Sequence, residues 1–149
     1  MSAEKLNVNV EIVEGGKFPT LGTKGSGAVD LYARLDDGGA ITLLPGQTKM
    51  IPLGIKTEIP EGYVGLLFAR SGLAKDGIAP ANKVGVVDSD YRGEWMMAAY
   101  NHGHERKIIY NGDRVAQMMI IESKPLTFTQ VESVNSTERG DGGFGSTGA

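Results

Sequence analysis

"EWMMAAY", from Glu94 to Tyr100, holds apolar side chains at successive positions, so neither face of the stretch suits water. "RVAQMMII", from Arg114 to Ile121, has the same character. Short apolar runs bounded by turn residues are strands covered on both sides. These two strands must therefore lie inside a barrel or between subunits.

Other short runs fill the rest of the chain. "LNVNVEIV" alternates Leu6, Val8, Val10 and Ile12 with polar residues, the pattern of a half-buried strand. "AVDLYAR", "AITLL", "TKMIPLGIKTEI", "YVGLLFA", "KVGVV", "RKIIY" and "LTFTQV" are also β-like, with Gly, Pro, Asn or Asp between them. "PEGY" and "YNGD" carry turn chemistry. Only "SGLAKDG", after Arg70, reads as a short helix. The apolar pattern stops near Ser133, which divides the chain into a β-domain over residues 1–132 and a polar, glycine-rich arm over 133–149.

Composition supports an all-β fold with tight turns. A chain of 149 residues forms one domain with a real core, and its 22 glycines are roughly twice the usual share. A net charge of −3 argues against a role as a nucleic-acid coat. No cysteine is present, which excludes disulfides, zinc–thiolate sites and cysteine nucleophiles. The only histidines, His102 and His104, lie in "NHGH", a turn-like stretch between apolar runs. The N-terminus lacks an apolar signal region and no run reaches transmembrane length, so a soluble, cytoplasmic protein (host cytoplasm, if viral) without membrane partners is expected.

"RGDGGFGSTG", from Arg139 to Gly148, contains a formal G-x-G-x-x-G. A dinucleotide-binding glycine run follows a strand and opens a helix, and no chain remains here to build one. The ATPase phosphate loop requires a Gly-Lys-Ser/Thr sequence, and this stretch has no lysine. It is either a plain glycine tail or an arm whose Arg139, Phe144, Ser146 and Thr147 bind a ligand.

Four further places can carry chemistry. Asp88, Asp90, Tyr91 and Arg92 in "GVVDSDYRGE" form either a charged hairpin turn or a reactive cluster. Asp30, an acid inside a strand-like run, either faces solvent or anchors a hydrated cation. Arg70 and Ser71 stand at a strand end before Gly72, where amides and a hydroxyl can meet phosphate oxygens. Gln117 is either an internally satisfied amide or a donor aimed at a ligand.

Taken in order, "AVDLYA", "RSGLA", "GVVDSDYRGE", "GDRVAQM" and "RGDGGFGSTG" closely resemble the five motifs of the trimeric dUTPase family. The likeness spans nearly the whole chain. Two departures, Ala69 where proline is common and Trp95 where an aliphatic is usual, touch packing rather than chemistry.

The resemblance implies a distorted jelly-roll β-barrel, a homotrimer with a mobile C-terminal arm, and Mg²⁺-dependent hydrolysis of dUTP to dUMP and pyrophosphate. That reaction limits uracil in DNA and supplies dUMP for thymidylate synthesis. By the same likeness, Asp88 holds the attacking water and hydrogen-bonds the deoxyribose 3′-hydroxyl. Asp30 contacts Mg²⁺ through its water shell, the metal being held mainly by the substrate phosphates. Ser71 donates to the leaving bridging oxygen and Gln117 to a phosphate oxygen, with Arg70 and Gly72 in the same phosphate region. Arg139, Gly145, Ser146 and Thr147 hold the γ-phosphate end, and Phe144 stacks on uracil. Tyr91 is the platform beneath the sugar, and Met96 belongs to the same substrate-binding set.

Base choice in the family rests largely on backbone groups of the strand from Asn82 through Val86 and Val87. A backbone N–H donates to O4 and a C=O accepts from N3–H; cytosine inverts both, leaving two unpaired polar groups at about 1–3 kcal/mol each. Two rivals use a similar fold: a dCTP deaminase-like enzyme and a regulatory nucleotide-binding protein. A complete arm and the "DSDY" hairpin favour dUTPase over the first, and intact Asp88, Tyr91 and Arg139 argue against lost catalysis. A jelly-roll coat protein would need none of the five motifs.

Overall fold

A computed structural model describes residues 4–148, so the outermost ends of the expected domain and arm, residues 1–3 and 149, lie outside the described residues. The chain is built from β1 (Asn9–Ile12), β2 (Thr20–Leu21), β3 (Val29–Tyr32), β4 (Ala40–Leu43), β5 (Thr48–Pro52), β6 (Ile55–Glu58) and β7 (Tyr63–Ala69). One short helix, α1 (Ser71–Lys75), precedes β8 (Ile78–Pro80), β9 (Gly85–Val87), β10 (Met96–Asn101), β11 (Lys107–Tyr110) and β12 (Arg114–Glu122). The strands form sheets in the orders β1-β6, β5-β10-β8, β4-β11 and β2-β3-β12-β7-β9. The sheets wrap one core as a distorted jelly roll, and the ladders do not join into a single closed barrel.

Alternation decides what each strand buries. In β10, Met97, Ala99 and Asn101 point into the core, while Met96, Ala98 and Tyr100 point the other way. Met97 belongs to one buried cluster with Leu31, Ile51, Ile55, Ile78 and Val115, and each such side chain contributes roughly 1.5–3 kcal/mol. The second apolar face of β10 is not core: it forms the wall of a cavity described below. β12 is similarly mixed, with Val115, Ala116 and Met118 buried and Gln117, Met119 and Ile120 half-buried.

"TKMIPLGIKTEI" divides into β5 and β6 because Gly54 takes φ +71°, where the chain turns between two sheets. Gly16 packs so close that a Cβ on Gly54 would lie 2.7 Å from its Cα. The "PEGY" and "YNGD" turns form as expected, with Gly62 at φ +87° and Gly112 at φ +83°.

Three expectations change. "LNVNVEIV" pairs only over Asn9–Ile12, against β6. "LTFTQV" forms no strand: residues 123–132 have no ladder partner among the described residues, and Leu126 and Phe128 are exposed. A period-two pattern becomes a strand only when another strand supplies its hydrogen bonds. "NHGH" is more than a loop, since Asn101 ends β10 fully buried. Its amide donates to the Leu43 and Glu105 carbonyls and accepts from Gly103 N–H, so it shapes the turn that carries the exposed His102 and His104.

Candidate active site

β9 stands at the edge of the five-stranded sheet, paired on one side only with β7. Alternate backbone N–H and C=O groups of an antiparallel edge strand point away from its partner and stay available to a ligand. Before it, Val84 N–H bonds Asn82 C=O at 2.8 Å and Lys83 takes φ +68°, so the chain turns tightly into the strand. After it, Tyr91 N–H bonds Asp88 C=O at 3.1 Å, closing the turn of "DSDY".

The expected hairpin is instead a turn between two sheets, since β9 pairs with β7 and β10 with β5 and β8, and this turn is fixed at its base. Tyr91 Oη donates to the Glu94 carbonyl at 2.9 Å, and Arg92 Nη1 donates to the Ser89 carbonyl at 2.7 Å. Gly93 lies against the Tyr91 ring so closely that a Cβ there would stand 2.6 Å from Cζ. Glycine at this point therefore sets where the tyrosine ring can lie. The Glu94 carboxylate accepts from Arg34 Nε at 2.7 Å, from Arg34 Nη2 at 2.8 Å and from Gly54 N–H at 2.9 Å. The Arg34 hydrogen bonds chiefly, with help from Gly54 and against burial, hold the Glu94 carboxyl below its ordinary range. The same contacts raise Arg34.

Between β9, the turn after it and the outward face of β10 lies a cavity of about 260 Å³. Six of the residues expected to bind substrate line it: Asn82, Val86, Val87, Asp88, Tyr91 and Met96. Met50, Leu67, Gly85, Trp95 and Ala98 line it too, and sequence reasoning had missed them as site residues. Register is the signal that would have found them, since Ala98 pairs with Met50 and Leu67 with Gly85. Gly85 is required there, as a Cβ would lie 2.9 Å from Leu67 Cβ. Trp95 closes the floor: its Nε1 donates to Thr57 Oγ1 at 2.9 Å, and Gly65 leaves room for its six-membered ring. Asp88 also borders a second, open cleft of about 680 Å³ with Asp90, Arg92 and Lys124.

A separate polar group gathers at the end of β7. Asp30 in β3 stands opposite Gln117 in β12. Arg70 Nε donates to Asp30 Oδ1 at 2.8 Å, and Arg114 Nη1 approaches Oδ2 at 3.5 Å. Gln117 Nε2 donates to the Ala69 carbonyl at 2.8 Å, so one of its donors is satisfied internally. Ser71 and Gly72 open α1 with both residues exposed. Asp30 is thus neither a solvent-facing acid nor part of a carboxylate cluster. Among the described residues no three His, Asp or Glu side chains converge as a metal cage.

The arm stands apart from both groups. Arg139 Nε donates to the Gly142 carbonyl at 2.8 Å, and Gly140 N–H to Thr137 Oγ1 at 3.1 Å. Further turns run from Ser146 N–H to Gly143 and from Gly148 N–H to Gly145. Among the described residues no hydrogen bond or ion pair ties 133–148 to the β-domain, and Phe144 is fully exposed. Arg139, Phe144, Gly145, Ser146 and Thr147 therefore do not meet the cavity of their own chain.

The family model described as dUTPase matches residues 14–148. The chain is 48% identical over 134 residues to a Desulfitobacterium hafniense deoxyuridine 5′-triphosphate nucleotidohydrolase, covering 89% of this chain and 87% of that protein. It is 44% identical over 146 residues to the Chlamydia pneumoniae protein of the same name, covering 97% and 99%. Its fold is similar to Staphylococcus bacteriophage 80alpha dUTPase, a variant with dUpNHpp, at a TM-score of 0.83, 24% identity and coverage of 97% and 100%. It is similar also to a variant dUTPase of phage phi11 of S. aureus described with a structural Mg(II) ion, at a TM-score of 0.78, 22% identity and coverage of 88% and 100%. On that match and those identities, the chain belongs to the dUTPase family.

Proposed function

We propose that this chain hydrolyses dUTP to dUMP and pyrophosphate by in-line attack of water on the α-phosphorus. One observation carries the reading: Asn82, Val86, Val87, Asp88, Tyr91 and Met96 line one cavity beside an unpaired strand edge. Uracil takes its hydrogen bonds from the free backbone edge around β9, and deoxyribose rests on Tyr91 with no room for a 2′-hydroxyl. Asp88 accepts the proton of the attacking water and holds the 3′-hydroxyl. As the water oxygen bonds to phosphorus, the bridging oxygen leaves with pyrophosphate, and orientation with charge neutralisation supplies most of the rate.

The phosphates lie toward Arg70, Ser71, Gly72 and Gln117. Asp30 suits a cation in kind, as one carboxylate beside an anionic ligand, but its oxygens already face Arg70 and Arg114. That donor set would hold a hydrated cation only through its water shell. Mg²⁺, when bound, neutralises the triphosphate and fixes its conformation.

Among the described residues no hydrogen bond or ion pair holds the arm to its own domain, and exposed apolar groups (Leu126, Phe128, Val131, Val134 and Phe144) need cover. A homotrimer answers both: the arm of one copy closes over another copy's cavity, with Phe144 on uracil and Arg139, Gly145, Ser146 and Thr147 on the γ-phosphate end. The protein works on free nucleotide in the cytoplasm, without nucleic acid or membrane, limiting dUTP and supplying dUMP.

Asp88→Asn tests the central role. The variant should bind dUMP within a few-fold of wild type and lose on the order of 10²–10⁴ in kcat, the usual share of a general base. Near-normal turnover in a folded variant removes Asp88 from that role.

A further inference from the structure

The chain has six methionines and no cysteine. With no thiol to compete, thioethers are its sulfur groups open to oxidants. Strand register decides which of them can be reached. β10 pairs with β5 so that Ala98 stands opposite Met50, and Met96 lies two residues from Ala98 on the same face. Period-two alternation turns Met50 and Met96 outward and Met97 into the core. Their exposure is 53% for Met50 and 40% for Met96, against 0% for Met97 and 6% for Met118. Both outward methionines line the 260 Å³ cavity.

We propose that Met50 and Met96 form an oxidation site in the wall of this cavity, where a hydroperoxide converts thioether to sulfoxide and weakens nucleotide binding. The inference rests on the reading of the cavity as the nucleotide pocket. A sulfur lone pair attacks the outer peroxide oxygen, so an S–O bond forms as the O–O bond breaks. With hydrogen peroxide, the proton on the transferred oxygen passes to the departing hydroxide and water leaves. Sulfur is oxidised by two electrons and the peroxide reduced by two. The product is a polar, chiral group in place of a flexible apolar one.

That change matters because Leu67, Val86 and Ala98 supply apolar wall to the same cavity, whose polar side chains are Asn82, Asp88 and Tyr91. A sulfoxide oxygen there keeps its own water, which occupies ligand space, or loses it unpaired when a ligand enters. A bound nucleotide covers the same sulfurs, so occupancy and oxidation oppose each other. Methionine sulfoxide reductases of both epimer specificities reverse the change, which makes the site a switch rather than a lesion.

The test uses the full chain, treated with hydrogen peroxide under native conditions and mapped by peptide mass spectrometry. Sulfoxide should appear at Met50 and Met96 well before Met97 and Met118, and dUMP present during treatment should slow both. Affinity for dUMP, measured by calorimetry, should fall about tenfold or more and return after treatment with the two reductases. The Met50→Leu/Met96→Leu double variant, compared with its own untreated sample, should keep its affinity through the same exposure. Unchanged dUMP affinity after conversion of both methionines overturns the inference, as does equal loss in the double variant. Failure of the untreated protein to bind dUMP is a distinct result: it removes the nucleotide reading of the cavity, and this inference with it.

Discussion

Arg70 Nε donates to Asp30 Oδ1 at 2.8 Å, joining the end of β7 to the middle of β3 across β12. The two side chains are mostly buried, at 28% and 13% exposure, and Arg114 is the carboxylate's other cationic neighbour at 3.5 Å. A charge-assisted bond so placed fixes the guanidinium in one orientation. A double-mutant cycle with Asp30→Asn and Arg70→Ala should give a coupling of about 1–2 kcal/mol in urea unfolding, between the values for exposed and buried pairs. A coupling near zero means that the contact orients nothing.

The Arg34–Glu94 fork at the base of the β9–β10 turn makes stability depend on pH. Glu94 is held below its ordinary value of 4.5 in the folded state, so its contribution is full above that value and is lost as pH falls through the folded value. Glu94→Gln should therefore be less stable than wild type at neutral pH, by about 1–3 kcal/mol. The gap should close in acid as the wild-type carboxyl is protonated. Denaturation curves across pH check this, and a deficit that persists unchanged in acid contradicts it.

Deletion of everything after Glu138 should leave the proposed trimer folded by light scattering, because no described residue of the arm joins the core. Affinity for dUMP should fall by about 1–3 kcal/mol through loss of the Phe144 stack. Turnover of dUTP should fall much further, since in the proposed function Arg139, Ser146 and Thr147 clamp the phosphates and exclude water. In the intact chain, cleavage near Arg139 should slow with a non-hydrolysable triphosphate and Mg²⁺. Full activity in the truncated protein returns "RGDGGFGSTG" to a plain glycine tail.

What was legible in sequence was local. Period-two alternation and glycine punctuation identified most strands, α1, and the turns at Gly62 and Gly112, because each depends on neighbours in the chain. The "DSDY" stretch was legible as a turn, and the family resemblance named six residues as substrate-binding that prove to line one cavity. Pairings across long separations were not legible. Arg70 meets Asp30 across 40 residues, and Trp95 meets Thr57 across 38. Met50, Leu67 and Ala98 reach the cavity only through register. The opposite error occurred at "LTFTQV", whose alternation is sound but whose partner strand is not supplied by the described chain.

Pyrophosphate release measured over dUTP, dCTP, dTTP and UTP tests the account most directly. In the proposed binding mode the free β9 edge donates toward O4 and accepts from N3–H, which rejects cytosine through two unpaired groups, and Tyr91 beneath the sugar rejects a ribose. The expected result is hydrolysis of dUTP to dUMP, with kcat/KM for each of the other three lower by roughly 100-fold or more. Comparable kcat/KM for dUTP and dCTP, or ammonia released from dCTP, would contradict it.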